Sequence, residues 1–249
     1  MLMLWPGMSI ISNHRTTVPT VLLTGVGAEG QVGEVVAQAF AVQGASVVLV
    51  DRAAEHASAR AADLTSRGYV ARGYGCDLTD PDGVASLVET VRREHGSELH
   101  ALVHMAGGFA MSGAVAESSL DVWNRQIAIN LTTAYLTARA FLPMLRAGHG
   151  SIVLFASEVA LPGGTGSNRS AYAVAKSGVA TLMRSIAAEE GKNGVRANAV
   201  APVAIRTAAN VATMGAGARY IEREQVAAAV IFLCSDAASA ITGELLPLS

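Results

Sequence analysis

Residues 18–51 read V-P-T-V-L-L-T-G-V-G-A-E-G-Q-V-G-E-V-V-A-Q-A-F-A-V-Q-G-A-S-V-V-L-V-D. Residues 18–24 are a short apolar run ending in glycine, the pattern of a buried strand with Pro19 at its edge. A Gly-rich turn follows from Gly25 to Gly33, then an apolar helical segment stopped by Gly44. Residues 46–50 form a second buried strand that delivers Asp51. Strand, Gly-rich turn, helix, strand and acid together make a unit suited to a dinucleotide. The glycines let the backbone approach a pyrophosphate, and the helix N-terminus faces that anion. Asp51 can accept hydrogen bonds from a ribose diol and would repel a 2′-phosphate, which favours NAD over NADP. Arg52, next door, could pair with such a phosphate and keeps NADP as the lesser alternative.

The alternation continues outward from this unit. An Ala-rich helix is expected over residues 53–67, a strand over 69–74, and a helix over 81–95 with Asp80 as its cap and Pro81 in its first turn. Residues 99–105 read as a strand followed by A-G-G. A single long helix is expected from Ser118 or Ser119 through Leu145, with Leu120, Trp123, Ile127 and Leu131 at helical spacing. Strands at 152–155 and 195–200, helices at 170–190 and 223–234, and a seventh strand at 244–248 complete the chain. Regular alternation of this kind predicts an α/β fold, a Rossmann-type doubly wound parallel sheet of about seven strands with helices on both faces. Ligands of such sheets lie beyond the carboxyl ends of the strands, where Asp51, Asp77, Ala106, Gly107 and Ser157 all fall.

Composition narrows the function. The 249 residues suit one large domain; 51% are hydrophobic and 15% charged, and the net charge of −2 carries no basic block to attract nucleic acid. Two distant cysteines and six scattered histidines offer no metal-ligand spacing. No uninterrupted apolar run reaches a membrane span, and a cytoplasmic protein is expected. Residues 1–15 read as a flexible extension, and 16–249 as one NAD(P)-binding domain. His104 and His149 read as structural rather than catalytic.

One further stretch carries chemistry. Residues 157–176 run S-E-V-A-L-P-G-G-T-G-S-N-R-S-A-Y-A-V-A-K. Tyr172 and Lys176 are four apart and share a helix face, and a lysine ammonium beside a phenol is expected to lower its pKa. A phenol so tuned can give or take a proton near neutral pH. Only two lysines occur in the chain, and one of them stands here.

With T-G and the Gly-rich turn, D-L (Asp77, Leu78), A-G (Ala106, Gly107), Asn130, Ser157, Y-x-x-x-K, V-R-A-N-A-V-A-P (195–202) and a late T-G (Thr242, Gly243), the chain resembles the short-chain dehydrogenase/reductase family in its classical subgroup. The resemblance covers residues 18–248 and implies site roles. Tyr172 is the general acid/base, Lys176 holds the nicotinamide ribose, Ser157 binds the substrate oxygen and Asn130 holds a water in a proton relay. Gly25, Gln31, Val32, Asp51, Arg52, Asp77, Leu78, Ala106, Gly107, Tyr172, Lys176, Pro202, Ile205 and Thr207 are the implied cofactor-binding set. The implied reaction moves a hydride between NAD(H) and a secondary alcohol or ketone, a 3-oxoacyl thioester or small cyclic ketone being examples. The substrate would be small and hydrophobic. Phe109, Met111, Val159, Leu161 and Met214 would be its apolar walls, or else core. A homotetramer is implied, with a dimer as the alternative.

The chain also departs from the family pattern. The Gly-rich turn is two residues longer than usual, with Gln31 at the place of the middle glycine. That spacing is similar to enoyl-thioester reductases, although those typically carry Y-x6-K, so enoyl reduction stands as one alternative. His104 and Met105 replace the two asparagines of N-N-A-G, the first of which ties the central strands in the family. Residues 207–220 are a short, Ala- and Gly-rich segment expected to be a mobile substrate lid. The altered turn and short lid leave a non-catalytic NAD-sensing protein as a second alternative.

Overall fold

In a computed structural model, which describes residues 18–249, a seven-stranded parallel sheet runs through the molecule. The expected extension at 1–15 lies outside the described residues. The elements are β1 (Thr20–Thr24), α1 (Val32–Val42), β2 (Ser46–Asp51), α2 (Ala54–Ser66), β3 (Ala71–Gly75), α3 (Pro81–His95) and β4 (Ala101–His104). After them come α4 (Leu120–Ile127), α5 (Thr133–Ala147), β5 (Ser151–Phe155), α6 (Ser170–Glu190) and β6 (Arg196–Pro202). The chain closes with β7 (Ala204–Ile205), α7 (Ala208–Met214), β8 (Tyr220–Ile221), α8 (Arg223–Cys234) and β9 (Leu245–Leu248).

The sheet order is β3-β2-β1-β4-β5-β6-β9. It reverses direction between β1 and β4, which opens a crevice at the carboxyl ends of those two strands. Strand residues alternate between two cores. Val21, Leu23, Val47, Leu49 and Val103 pack under α1, α2 and α8. Leu22, Val48, Val50, Leu102 and Leu154 pack under α3, α5 and α6. Burial on both faces explains why these strands read as continuous apolar runs rather than alternating ones. Phe40 and Phe141, one in each core, are fully buried; truncating either to alanine should cost about 3–5 kcal/mol.

Local chemistry sets the element ends. Asp80 caps α3, its carboxylate accepting from the N–H groups of Asp82 and Gly83, with Pro81 in the first turn. Ser119 caps α4, its hydroxyl accepting from Val122 N–H at 3.3 Å.

Two features correct the sequence reading. The single helix expected to run to Leu145 is interrupted by a π-helical turn at Ala128–Thr132. Asn130 donates to the Gln126 carbonyl at 3.0 Å and the Thr133 hydroxyl donates to the Ile129 carbonyl at 2.9 Å, so side chains compete with the backbone ladder there. On α4 and the π turn, the stripe of Leu120, Trp123, Ile127 and Leu131 stays partly or fully exposed. Burial is restored in α5 through Ala134, Ala138, Phe141 and Leu145.

The expected lid, in turn, contains α7. Thr207 caps that helix by accepting from Asn210 N–H at 3.2 Å. Its base is closed by β7–β8 pairing and by the Tyr220 hydroxyl, which donates to the Gly215 carbonyl at 2.8 Å.

Candidate active site

Gly25, at the end of β1, turns with φ +67° and passes so close to Ala106 that a Cβ would strike that residue's backbone. Only glycine allows the two loops after β1 and β4 to meet there. The longer turn is closed by carboxylates. Gly27 N–H donates to Asp51 Oδ2 at 2.8 Å and Gly30 N–H donates to Glu34 Oε2 at 2.7 Å. Glu34 also faces Arg60 and Arg223, each at 3.4 Å. Gln31 stands at the N-cap of α1 without a side-chain hydrogen bond, and Val32 is the first helical residue. Glu34 N–H donates to the Gln31 carbonyl at 3.3 Å, which leaves the N–H groups of Val32 and Gly33 to face an anion.

Asp51 holds two backbone N–H groups, Gly27 on one oxygen and Ala53 on the other at 3.0 Å. Each carboxylate oxygen keeps a further lone pair for a ligand hydroxyl. Arg52 lies beside it on the same crevice. Asp77 accepts from both the hydroxyl and the N–H of Thr79, at 2.7 and 2.9 Å, and these bonds hold its carboxyl below the usual carboxylate range.

A crevice of about 510 Å³ brings together Gly25, Asp51, Arg52, Asp77, Leu78, Ala106 and Gly107 from the sequence reading. Its size, acid-lined end and glycine cradle fit the adenosine part of a dinucleotide. Of the other implied cofactor residues, Lys176 approaches the crevice behind Gly107, and Pro202, Ile205 and Thr207 lie on or after β6. Thr207 is buried and borders a second opening with Gly30, Arg206 and Arg223. Ile205 lies on β7, and Pro202 is buried at the end of β6.

The reactive groups converge behind Gly107. A Cβ there would lie 2.5 Å from Asn130 Oδ1 and 3.4 Å from Lys176 Nζ. Asn130 is buried and clamps the loop after β4, accepting from Gly108 N–H at 3.1 Å and donating to the Gly108 carbonyl at 2.9 Å. Lys176 is buried on α6 and donates to the Phe155 carbonyl at 2.7 Å, and burial brings its pKa down to about 8. Its ammonium lies 5.9 Å from the Tyr172 ring centroid. Ser157 follows β5 beside Tyr172, where it acts to lower the pKa of the phenol.

The electrostatics of Tyr172 run opposite to the sequence expectation. Burial raises the phenol above its ordinary pKa of 10.0 and outweighs the lowering by Ser157 and by the Arg169 charge. The Lys176 ammonium is directed at the Phe155 carbonyl rather than at the phenol oxygen, and burial is the largest influence on the phenol. In this state Tyr172 is held protonated, a proton donor rather than a phenolate.

His104 does replace a strand-tying asparagine. The Thr133 hydroxyl already donates to Ile129, so it can only accept from His104 Nε2 at 3.2 Å, leaving Nδ1 to accept from the Thr24 hydroxyl at 2.9 Å. Thr24 and His104 are cross-strand partners on β1 and β4. The buried ring is neutral, its pKa pushed down to about 3 by burial and by the Lys176 charge.

Among the apolar walls suggested by sequence, Val159 is buried, whereas Phe109, Met111 and Met214 are exposed. Sequence reading missed Arg125, Gln126 and Ile129, which also border the crevice. Their available signal was position: Gln126 stands one helical turn before Asn130. It also missed Glu34 as the acid that closes the glycine turn.

A family model described as Enoyl-(Acyl carrier protein) reductase matches residues 25–248. The chain is 38% identical over 231 residues to a cis-4-hydroxycyclohexanecarboxylate dehydrogenase of Sinomonas cyclohexanicum, covering 88% of this chain and 91% of the relative. It is 33% identical over 248 residues to a D-threitol dehydrogenase of Mycolicibacterium smegmatis, covering 95% and 93%. Among solved structures, a Beutenbergia cavernae protein assigned as an NAD(P)-dependent gluconate 5-dehydrogenase, with NADP bound at low occupancy, superposes with a TM-score of 0.82. It is 30% identical, covering 92% of this chain and 94% of that one.

Proposed function

Because the chain belongs to the short-chain dehydrogenase/reductase family of oxidoreductases, we propose that it interconverts a secondary alcohol and a ketone with NAD(H) as the preferred cofactor. The observation that carries this reading is the convergence of Asn130 and Lys176 behind Gly107, with the Tyr172 ring centroid 5.9 Å from the Lys176 ammonium and Ser157 beside the phenol. NAD(H), when bound, supplies or accepts the hydride at its nicotinamide ring. Gly25, Asp51, Asp77, Leu78, Ala106 and Gly107 hold the cofactor's adenosine part, with Gln31 and Val32 presenting the helix amides to its pyrophosphate. Lys176 and Thr207 hold the nicotinamide end. Asn130 fixes the loop that carries Gly107 and Gly108.

The chain's own chemistry is proton management. Ser157 donates to the substrate oxygen and steadies charge developing there. Tyr172, kept protonated by burial, passes its proton to that oxygen during ketone reduction. Alcohol oxidation requires the reverse transfer, so its rate should rise with pH while reduction is served at neutrality. Asp51 supports the NAD preference, because a carboxylate lining the crevice at the end of β2 would repel a 2′-phosphate. The exposed Leu120, Trp123, Tyr135 and Val174 on α4, α5 and α6 support assembly into a homotetramer through those helices.

One observation favours a second reading, enoyl-thioester reduction: the long glycine turn, together with the description of the matching family model. A panel of ketones and a 2-enoyl thioester, each assayed with NADH and with NADPH, separates the two. Turnover of ketones with NADH as the better cofactor supports the proposal. Turnover of the enoyl thioester alone replaces it. NADH binding with no turnover of either class would favour a sensing role.

A further inference from the structure

Between β4 and α4 the chain forms an arch, residues 108–113, that borders the crevice at Gly108 and reaches across to the start of α6. One foot is Gly108, held on both its N–H and its carbonyl by Asn130. The other foot is Ser112 and Gly113, whose N–H groups both donate to the Asn168 carbonyl, at 2.8 and 3.1 Å. Gly113 also bridges to Arg169, and the Ser112 hydroxyl lies 3.4 Å from that of Ser170, the first residue of α6. The arch therefore rests on the π turn at one end and on the start of the Tyr172 helix at the other.

Phe109 is the first side chain of this arch. Its ring meets that of Tyr172 nearly at right angles, with centroids 5.1 Å apart and an interplanar angle of 86°. Such edge-to-face pairs are favourable beyond their buried area. Yet 55% of Phe109 remains exposed, and the residue borders the crevice at Gly107 and Gly108. A loop phenylalanine with freedom to move would gain by turning its ring away from water. Backbone hydrogen bonds at both feet and the phenol contact hold it where it stands. Of the apolar walls suggested by sequence, Val159 is buried, and Phe109 is the one whose ring packs on Tyr172.

Resting on the reading of Tyr172 as proton donor, we infer that Phe109 is the residue that selects the substrate. Its open ring surface takes a hydrocarbon ring attached at the reacting carbon, so that alicyclic and aryl secondary alcohols and ketones are preferred over small acyclic ones. A substrate oxygen bound to Tyr172 and Ser157 brings its carbon skeleton beside the residue that packs on the phenol. A saturated or aromatic ring there exchanges water for the phenyl surface, whereas a short acyclic chain covers less of it.

The test compares cyclohexanone with butanone on the full-length protein, as wild type, Phe109→Ala and Phe109→Leu. Reduction by NADH gives kcat and KM, and calorimetry on the protein saturated with NAD+ gives ketone binding without turnover. Wild type should favour cyclohexanone by about tenfold or more in kcat/KM, the size of discrimination a hydrophobic wall supplies. Phe109→Ala should bring the ratio close to one, mostly through the KM of cyclohexanone, with Phe109→Leu between. A wild type indifferent to the two ketones, or variants that weaken both equally, would overturn the inference. Should no ketone be reduced at all, the proton-donor reading fails. The calorimetric difference between wild type and Phe109→Ala then decides the role of Phe109 by itself: selective loss of cyclohexanone binding upholds it, and no difference refutes it.

Discussion

His104 makes a prediction about stability that follows from burial and hydrogen-bond direction alone. The ring is 2% exposed and bonded on both nitrogens, with Nε2 donating to Thr133 and Nδ1 accepting from Thr24. A proton on Nδ1 would place a donor against the Thr24 hydroxyl and a charge in the core near Lys176. The native pKa accordingly falls from 6.5 to about 3. The sign follows: a group whose native pKa is depressed contributes fully above its unfolded pKa, and the contribution is lost as pH falls toward the native value. Between pH 6.5 and about 3 the unfolded chain takes up a proton that the native state refuses. Each pH unit in that window costs about 1.4 kcal/mol, or about 2 kcal/mol by pH ~5. His104→Asn removes this titration. At neutral pH the variant should be less stable by about 1–3 kcal/mol, because an asparagine is too short to serve both threonines. By pH ~5 the gap should have closed by about 2 kcal/mol. Urea unfolding followed by circular dichroism, at fixed ionic strength and protein concentration, measures both proteins at several pH values. Every other titrating group is shared and cancels in the difference. A gap that stays constant from neutral pH to pH ~5 would refute the buried, neutral strand tie.

Two other perturbations have defined outcomes. Asp51→Asn weakens the charge-assisted bonds to Gly27 and Ala53 and removes the repulsion toward a 2′-phosphate. It should shift the NADH/NADPH affinity ratio toward NADPH by about 10–100-fold in fluorescence titrations, and an unchanged ratio would remove Asp51 from cofactor choice. Glu190 receives Arg146 Nε and Nη2 at 2.8 and 2.6 Å, and chiefly this pairing brings its pKa down from 4.5 to about 2. Its contribution is present above pH 4.5 and fades as pH falls toward 2, so Glu190→Gln should lower the melting temperature at neutral pH and progressively less in acid. Arg146 is half exposed, so the effect should amount to a few degrees and shrink in high salt. A pH-independent difference would show that packing, not charge, holds this corner.

What was legible in the sequence was whatever periodicity and local chemistry determine. The β1-turn-α1-β2 unit, the cap of α3 at Asp80 and the span of α6 from Ser170 to Glu190 follow from apolar runs, cap residues and glycines within a few positions. The π turn at Asn130 was not legible, because it depends on that side chain reaching Gly108, 22 residues away. Helix α7 hid in an Ala- and Gly-rich stretch whose order comes from β7–β8 pairing and the Tyr220 hydroxyl. The direction of the Tyr172 pKa shift was misread for a related reason. Helical spacing places Lys176 on the same face, but tertiary packing buries the phenol and points the ammonium at Phe155. Of the site, motif alone singles out Ser157, Tyr172, Lys176 and Asn130 as candidates. How Asp51, Glu34 and Asn130 engage the backbone required the folded chain.

The central claim is that Tyr172 carries the proton for hydride exchange at a carbonyl carbon. Its most direct test is Tyr172→Phe, in which NADH affinity and the rate of ketone reduction are measured on the same preparation. The account predicts NADH binding within about a factor of two of wild type and a fall of about 10²–10⁴ in kcat, since only the proton transfer is removed. Ketone reduction that survives the substitution at near wild-type rate would contradict it.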